Sequence, residues 1–216
     1  MRFLITAGPT REYIDAVRFV SNASSGRMGY AVAEAAAARG HAVVLISGPT
    51  CLPDPPKATV IRVETTEEMY RAADRYFTKV DCLVGAAAPA DFQPARRVKG
   101  KIKKSGAERT LRLKPTTDVL ATLGRRKDDH VVIAFAVEVQ SPTSNALAKL
   151  RRKNADAVVL NGPEAMSADK ATVTILLKDG KRIKMSQASK ARIAERIVKV
   201  VESLAPEKER PRRARG

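Results

Sequence analysis

The 216-residue sequence contains no tryptophan, few other aromatic residues, two cysteines and two histidines. With aromatics at only 4% of the chain, a base-stacking platform for single-stranded nucleic acid is poorly supplied. Cys51 and Cys82 form no C-x-x-C pair, which argues against a structural zinc site and a disulfide scaffold. No apolar run approaches the ~18 residues of a membrane span, and the start turns polar too early for a secretory signal. We therefore expect a cytoplasmic protein with no membrane partner.

Charge is strongly one-sided, with 40 Lys and Arg against 23 Asp and Glu and a formal net charge of +17. Such a surface attracts polyanions, which could be nucleic acid, an anionic membrane or small substrates that carry several phosphates. An Arg-rich, Ala-rich proteome also produces basic proteins in which the charge has no functional meaning. A basic nucleic-acid-binding protein therefore stays open as one interpretation, although no nucleic-acid recognition motif accompanies the charge.

Short apolar runs alternate with helical patterns along most of the chain. The predicted strands are residues 2–7, 41–47, 58–63, 81–87, 131–136 and 157–160, and the predicted helices are residues 26–40, 65–77, 141–154 and 187–204. Continuously apolar strands separated by helices predict an α/β, doubly wound, mostly parallel Rossmann-like sheet. Residues 172–185, with Asp179-Gly180 at the turn, predict an added β-hairpin. We expect a single domain over residues 1–204, a long loop over residues 8–24, and a basic, disordered tail over residues 205–216.

In a doubly wound sheet, ligands bind beyond the carboxyl ends of the strands near a topological switch point. The loop from Ser21 to Gly29 contains three serines and two glycines and leads into a helix. Backbone N–H groups and hydroxyls in that arrangement form an anion site, with an ordinary serine-rich helix cap as the alternative. The loop from Gly85 to Phe92 is built of small residues, which let a ligand approach the backbone closely. Asp91 stands alone in it, either as a turn residue or as a partner for a sugar, a base or a cation.

Two further segments carry cations close to those loops. Residues 96–104 hold six Lys or Arg side chains and Gly100, which is typical either of a solvated face or of a mobile phosphate-binding flap. Phe135 ends a predicted strand, and Lys149 and Lys153 follow on the next helix. A spacing of four places both ammonium groups on one helix face. The three side chains suit a nucleotide, although a core aromatic beside a solvated helix face is the alternative.

A nicotinamide oxidoreductase is the remaining alternative, because residues 24–29 look like a short-chain dehydrogenase turn. The segment between the first strand and the first helix is long, whereas a dinucleotide-binding turn is tight. The second strand ends in Ser47-Gly48, with no acidic residue or arginine for the ribose. No tyrosine in the chain is followed four residues later by lysine. These features argue against a nicotinamide site.

Taken together, these segments resemble the phosphopantothenoylcysteine synthetase (phosphopantothenate–cysteine ligase) family of bacterial type, without the flavin decarboxylase half. The Ser-Asn-x-Ser-Ser-Gly-x-Met-Gly motif and the Lys-Ile-Lys-Lys element appear in family order. The residues that carry the resemblance are 5–12, Asp15, 18–40, 47–49, 86–94, 101–104, 117–120, 135–138 and 149–161. Pro89, Thr116 and the 161–171 loop depart from the family pattern.

The resemblance implies an enzyme of coenzyme A biosynthesis that joins 4′-phosphopantothenate to L-cysteine. It implies CTP as cosubstrate with Mg²⁺, an acyl-cytidylate intermediate, and release of CMP and pyrophosphate. It also implies a homodimer, and a separate phosphopantothenoylcysteine decarboxylase as a partner. A specific nucleic-acid partner is not implied, and the residues that would hold the metal stay unknown.

The resemblance also assigns roles to individual residues. The catalytic pair is Asn22 and Lys101. The expected nucleotide-binding residues are Ala87, Ala88, Asp91, Lys101, Phe135, Lys149 and Lys153. The expected residues for the substrate and its phosphate are Gly8, Thr10, Ser24, Ser25 and Gly26. No histidine or cysteine nucleophile is needed, and we interpret His41 and His130 as structural.

Overall fold

The computed structural model describes residues 1–138, 142–162 and 169–206. The predicted tail over 205–216 and the divergent loop over 161–171 therefore lie largely outside the described residues. The strands in chain order are β1 (Arg2–Ala7), β2 (Arg11–Tyr13), β3 (Phe19–Ser21), β4 (Ala42–Ser47), β5 (Ala58–Arg62), β6 (Cys82–Gly85), β7 (Phe92–Pro94), β8 (Leu113–Pro115), β9 (Val131–Val137), β10 (Ala157–Asn161), β11 (Lys170–Leu177) and β12 (Arg182–Ser189). The helices are α1 (Arg27–Ala38), α2 (Thr66–Phe77), α3 (Val119–Gly124), α4 (Pro142–Arg152) and α5 (Lys190–Leu204).

Eight strands form one sheet in the order β12-β11-β10-β9-β6-β1-β4-β5. The six strands from β10 to β5 are parallel, and β11 and β12 add an antiparallel hairpin at one edge. From β1 the chain first builds outward through β4 and β5, and then on the other side through β6, β9 and β10. The predicted doubly wound α/β fold with an added hairpin is confirmed.

Both faces of the sheet are covered because successive side chains of its apolar strands point to opposite sides. On one face, Phe3 and Ile5 of β1 belong to a buried cluster with residues of α1 and α5. On the other face, Leu4 belongs to a second cluster with residues of α2, α3 and α4. Thr65 and Glu68 form the predicted capping box at the start of α2. These two layers fix the loops at the carboxyl edge of the sheet.

Several elements differ from the sequence-based expectation. The segment predicted as a long loop contains the β2–β3 hairpin, and β7 pairs with β8 in a second short ribbon. α3 was not predicted; Asp118 caps it by accepting a hydrogen bond from Ala121 N–H at 3.0 Å. α5 begins at Lys190 rather than at Gln187, because Gln187–Ser189 continue β12 and Ser189 is the N-cap.

Candidate active site

The main cavity of the described structure has a volume of about 690 Å³ and lies at the carboxyl edge of the sheet. Its floor includes Thr6 of β1, Gly85 of β6, Phe135 of β9 and Asn161 of β10. β1 and β6 flank the point where the strand order reverses. The cavity therefore occupies the switch-point position at which doubly wound folds bind ligands.

The serine- and glycine-rich loop forms one wall of this cavity through residues 22–28. Gly26 is the N-cap of α1 and has a φ of 76°, in the left-handed region that favours glycine. A Cβ at Gly26 would lie 2.7 Å from Thr50 Cγ2, so this position also lacks room for a side chain. The N-cap Gly26 makes no side-chain cap hydrogen bond, and the Ser24 hydroxyl accepts from Gly26 N–H at 3.4 Å. Ser24, Ser25 and Gly26 line the cavity, as an anion site requires.

Asn22 joins this wall to the loop that follows β6. Its exposed amide donates to Pro89 C=O at 2.9 Å and to Ala88 C=O at 3.3 Å. Ala87, Ala88 and Asp91, to which the resemblance assigns nucleotide binding, line the cavity on that loop. Asn22 is therefore an amide donor at the boundary between the two loops predicted to hold the two substrates.

Gly8 and Thr10, which the resemblance assigns to the substrate and its phosphate, lie beneath this boundary and do not line the cavity. Gly8 C=O accepts a hydrogen bond from Ala88 N–H at 2.9 Å. The Thr10 hydroxyl is fully buried; it accepts from Ala90 N–H at 2.9 Å and contacts the Thr66 hydroxyl at 2.8 Å. Both residues support the backbone that carries Ala87 and Ala88.

The opposite wall carries cations from α4 and its C-terminal end, as the four-residue spacing predicts. Lys149 Nζ lies 3.9 Å from Glu138 Oε1, and Lys153 Nζ lies 3.0 Å from Asp118 Oδ1. Burial lowers the pKa of Lys149, and the neighbouring Lys153 lowers it further. Burial raises the pKa of Asp118, but the hydrogen bond from Ala121 N–H and the Lys153 ammonium outweigh it and the net shift is downward. Each lysine thus has an acidic neighbour that offsets part of its charge.

The structure adds site residues that the sequence analysis did not identify. Arg27 and Lys190 line the end of the cavity near β11, where Arg27 Nη1 lies 2.8 Å from Asp169 Oδ1. Burial lowers the pKa of Lys190, and the positive charge of Arg27 adds to this effect. Arg152 and Glu138 also line the cavity. Arg27 stands inside the predicted anion loop and could have been found there, whereas Lys190 reaches the site only through the tertiary fold.

Lys101 lies outside the wall of the cavity, with an exposed side chain. Its segment is tied to the loop between β2 and β3, since Val98 N–H donates to Ile14 C=O at 2.9 Å. The structure therefore places Lys101 on a cationic segment that is anchored at its base. Contact between Lys101 and a nucleotide stays a prediction.

Within the described ranges, no group of three or more His, Cys, Asp or Glu side chains is placed to hold a metal ion. The carboxylates that do line the cavity are Asp91, Asp118 and Glu138. None of the described helices combines the length and the apolar character needed to span a bilayer.

The family model described as DFP, DNA/pantothenate metabolism flavoprotein C-terminal domain, matches residues 1–204. The coenzyme A biosynthesis bifunctional protein CoaBC of Bacillus subtilis (strain 168) is 41% identical over 208 residues. That match covers 94% of this chain and 51% of the relative. CoaBC of Escherichia coli (strain K12) is 37% identical over 191 residues, which are 85% of this chain and 47% of the relative. The chain thus spans about half the length of these curated relatives.

Solved structures agree with this pattern. The crystal structure of the C-terminal domain of CoaBC superposes with a TM-score of 0.83 at 39% identity, and the match covers 94% of each chain. A mutant of Cab2 in complex with phosphopantothenate-cysteine superposes with a TM-score of 0.76 at 18% identity, covering 94% of this chain and 87% of that one. The second likeness shows a shared fold.

Proposed function

Because this chain belongs to the DNA/pantothenate metabolism flavoprotein C-terminal domain family, we propose that it is a phosphopantothenate–cysteine ligase of coenzyme A biosynthesis. The proposed substrates are 4′-phosphopantothenate, L-cysteine and CTP. The products are phosphopantothenoylcysteine, CMP and pyrophosphate. The family fits this activity, since the CoaBC proteins of Bacillus subtilis and Escherichia coli, which match 94% and 85% of the chain, are coenzyme A biosynthesis bifunctional proteins.

The observation that carries the proposal is the distribution of charge and donors around one cavity. Asn22 and the Ser24–Gly26 loop line one wall, and Lys149 and Lys153 line the other. A nucleoside triphosphate and a phosphorylated carboxylate repel each other, so a site that joins them must supply positive charge from more than one side. At ~4 Å and an effective dielectric of ~20, one pair of unlike unit charges attracts by about 4 kcal/mol before desolvation is counted.

In the first half-reaction, a carboxylate oxygen of phosphopantothenate attacks the α-phosphorus of CTP and pyrophosphate leaves. Ala87 and Ala88 offer close backbone approach, Asp91 a carboxylate for the sugar or base, and Phe135 an apolar ring. Lys149 and Lys153 compensate the triphosphate charge. Catalysis by this arrangement is positioning and charge stabilisation rather than proton transfer by histidine.

Mg²⁺ would enter with the triphosphate, because this ion is usually bound by substrate phosphates and one or two carboxylates. Asp91 and Glu138 line the cavity and fit that requirement. The ion would supply charge neutralisation between phosphate oxygens.

In the second half-reaction, the cysteine amine attacks the acyl carbon, loses a proton and displaces CMP. The acyl oxygen becomes negatively charged as the tetrahedral intermediate forms. An amide donor such as Asn22 suits that oxyanion, because it can donate a hydrogen bond without bringing a charge.

We predict that pyrophosphate release requires both phosphopantothenate and CTP. The measurement is pyrophosphate release with each of the four nucleoside triphosphates, with and without phosphopantothenate, in the presence of Mg²⁺. Equal rates with ATP and CTP would contradict the nucleotide assignment and leave the ligase proposal intact. Absence of turnover with every nucleotide, together with a steep salt dependence of binding to random duplex DNA, would support the nucleic-acid interpretation instead. A nicotinamide enzyme would bind its cofactor in a direct titration.

A homodimer is part of the proposal, and an exposed apolar surface supports it. This surface lies on and around the two short ribbons and comprises Val17, Phe19, Phe92, Val98, Leu111 and Leu113. β2 contacts β7, so the two ribbons are adjacent. Exposed large apolar side chains on neighbouring elements are typical of an interaction site.

Leu113→Glu is expected to convert the dimer to a monomer, because it places a charge in the proposed interface at a side chain that is 46% exposed. Light scattering after size exclusion should give twice the chain mass for the wild type and one chain mass for the variant. Ala38→Glu, on the exposed end of α1, is the control and should stay dimeric. A monomeric wild type at assay concentration would contradict the dimer.

We also propose a cytoplasmic location and a separate phosphopantothenoylcysteine decarboxylase that accepts the product. The product carries a cysteine carboxyl group, which a decarboxylase would remove next.

A further inference from the structure

A buried carboxylate links the segment that carries Lys101 to the segment that leads to Asn22. Asp15 is fully buried. Its Oδ1 accepts from Arg18 N–H at 2.8 Å and from Val17 N–H at 2.7 Å, and its Oδ2 accepts from Ile102 N–H at 3.0 Å. The N–H groups of Arg18 and Val17 lower the pKa of Asp15 to about 2 despite its burial, so it is ionised throughout the neutral range.

Arg18 completes the link by binding the C=O group of the same residue, Ile102. Its Nη1 donates to Asp15 Oδ2 at 2.6 Å, and Nη1 and Nη2 donate to Ile102 C=O at 3.1 and 3.2 Å. Both backbone polar groups of Ile102 are therefore held by one ion pair. On the other side of Lys101, Gly100 C=O accepts from Ala16 N–H at 3.5 Å.

These bonds fix the backbone on both sides of Lys101 and leave its side chain exposed. A segment with six cations in nine residues would otherwise be driven toward solvent by mutual repulsion. Loops without such tertiary hydrogen bonds belong to the low-stability, mobile part of a protein. The side chain of Lys101 is thus exposed, but the backbone that carries it is fixed.

We propose that Asp15 is a positioning residue for Lys101: through Ile102 N–H and the Arg18 guanidinium it fixes the backbone from which Lys101 reaches the bound nucleotide. This inference rests on the proposed function, because the role of Lys101 at the nucleotide is itself part of that proposal. Asp15 itself does not line the cavity and has no contact with substrate in this assignment.

The test is a double-mutant cycle in the full chain with Asp15→Asn, Lys101→Gln and the double variant. An amide nitrogen in place of Oδ2 would face N–H donors and break the link to Ile102. Asp15→Asn should slow single-turnover pyrophosphate formation by roughly a hundredfold, the loss that a misplacement of about 1 Å can cause. The double variant should be slower than Lys101→Gln by less than about threefold, because coupled residues are non-additive. The KM for CTP should change far less than kcat.

Asp156→Asn is the matched control. Like Asp15, the Asp156 carboxylate accepts a hydrogen bond from a backbone N–H group, that of Val132, and forms an ion pair, with Lys127. Asp156 lies outside the cavity wall, and this control should keep the wild-type rate. Arg18→Gln serves as a second variant if Asp15→Asn unfolds, because Arg18 is half-exposed; it should show the same non-additivity with Lys101→Gln. Losses that multiply in the double variant would overturn the proposal.

A second readout does not depend on activity. Brief trypsin treatment should cleave Asp15→Asn after Lys101, Lys103 and Lys104 several times faster than the wild type, with other sites unchanged. Unchanged cleavage at these sites would also overturn the proposal. If the wild type releases no pyrophosphate, the proposed function fails, and the cleavage pattern still decides whether Asp15 fixes this segment.

Discussion

Asn22→Asp is expected to leave a variant that forms the acyl-cytidylate and then retains it. The wild-type amide donates hydrogen bonds at the boundary of the two substrate loops. Aspartate has the same size but only accepts, and its charge repels the acyl phosphate and the developing oxyanion. Loss of one such donor costs about 2.7–4 kcal/mol, and the added charge should bring the effect to the upper end of that range. The damage should fall on the attack by cysteine.

The measurement is acid quench of a single turnover, with separation of the acyl-nucleotide from free CMP. Acyl-cytidylate should accumulate on the variant, and its thermal unfolding should stay near that of the wild type, because Asn22 is exposed and water can replace its hydrogen bonds to Ala88 and Pro89 C=O. Asn22→Ala removes the donor without adding a charge, so the difference between the two variants isolates the electrostatic part. Normal turnover of Asn22→Asp, or loss of activity through unfolding alone, would show that Asn22 is structural.

The parts of the fold that could be predicted are those encoded by contiguous residues. β1 was predicted with its exact bounds because Arg2–Ala7 is an apolar run followed by Gly8-Pro9. The β2–β3 hairpin and the β7–β8 ribbon could not be predicted, because a strand of three residues is too short to show a hydrophobic period.

The same limit applies to the site. Lys149 and Lys153 share a wall of the cavity because residues four apart lie on one helix face. Their spacing in the sequence is enough to predict this. The bond between Asp15 and Ile102 joins residues 87 positions apart, and no local pattern predicts it. The family model and relatives at 37–41% identity confirm the family resemblance. That resemblance implies a role for Lys101, but it does not predict the hydrogen bonds that hold the Lys101 segment in place.

Lys101→Gln is expected to impair the opposite half of the reaction from Asn22→Asp. A cation on an anchored segment is most useful where the triphosphate charge redistributes, which is the transition state of acyl-nucleotide formation. Its loss should slow pyrophosphate release by roughly a hundredfold, or about 3 kcal/mol, with little effect on the second step. The check is a single-turnover quench that follows the appearance of pyrophosphate and of acyl-cytidylate.

Lys79→Gln, an exposed lysine after α2 and outside the cavity wall, controls for the loss of one positive charge. It should leave the rate unchanged, because a charge far from the site is screened within about 10 Å at moderate salt. Intermediate formation at the wild-type rate in Lys101→Gln would remove Lys101 from the chemistry. Because Lys101→Gln slows formation of the intermediate and Asn22→Asp slows its consumption, the double variant should form acyl-cytidylate as slowly as Lys101→Gln and then retain it as Asn22→Asp does. That order of effects requires the two residues to act in successive steps at one site.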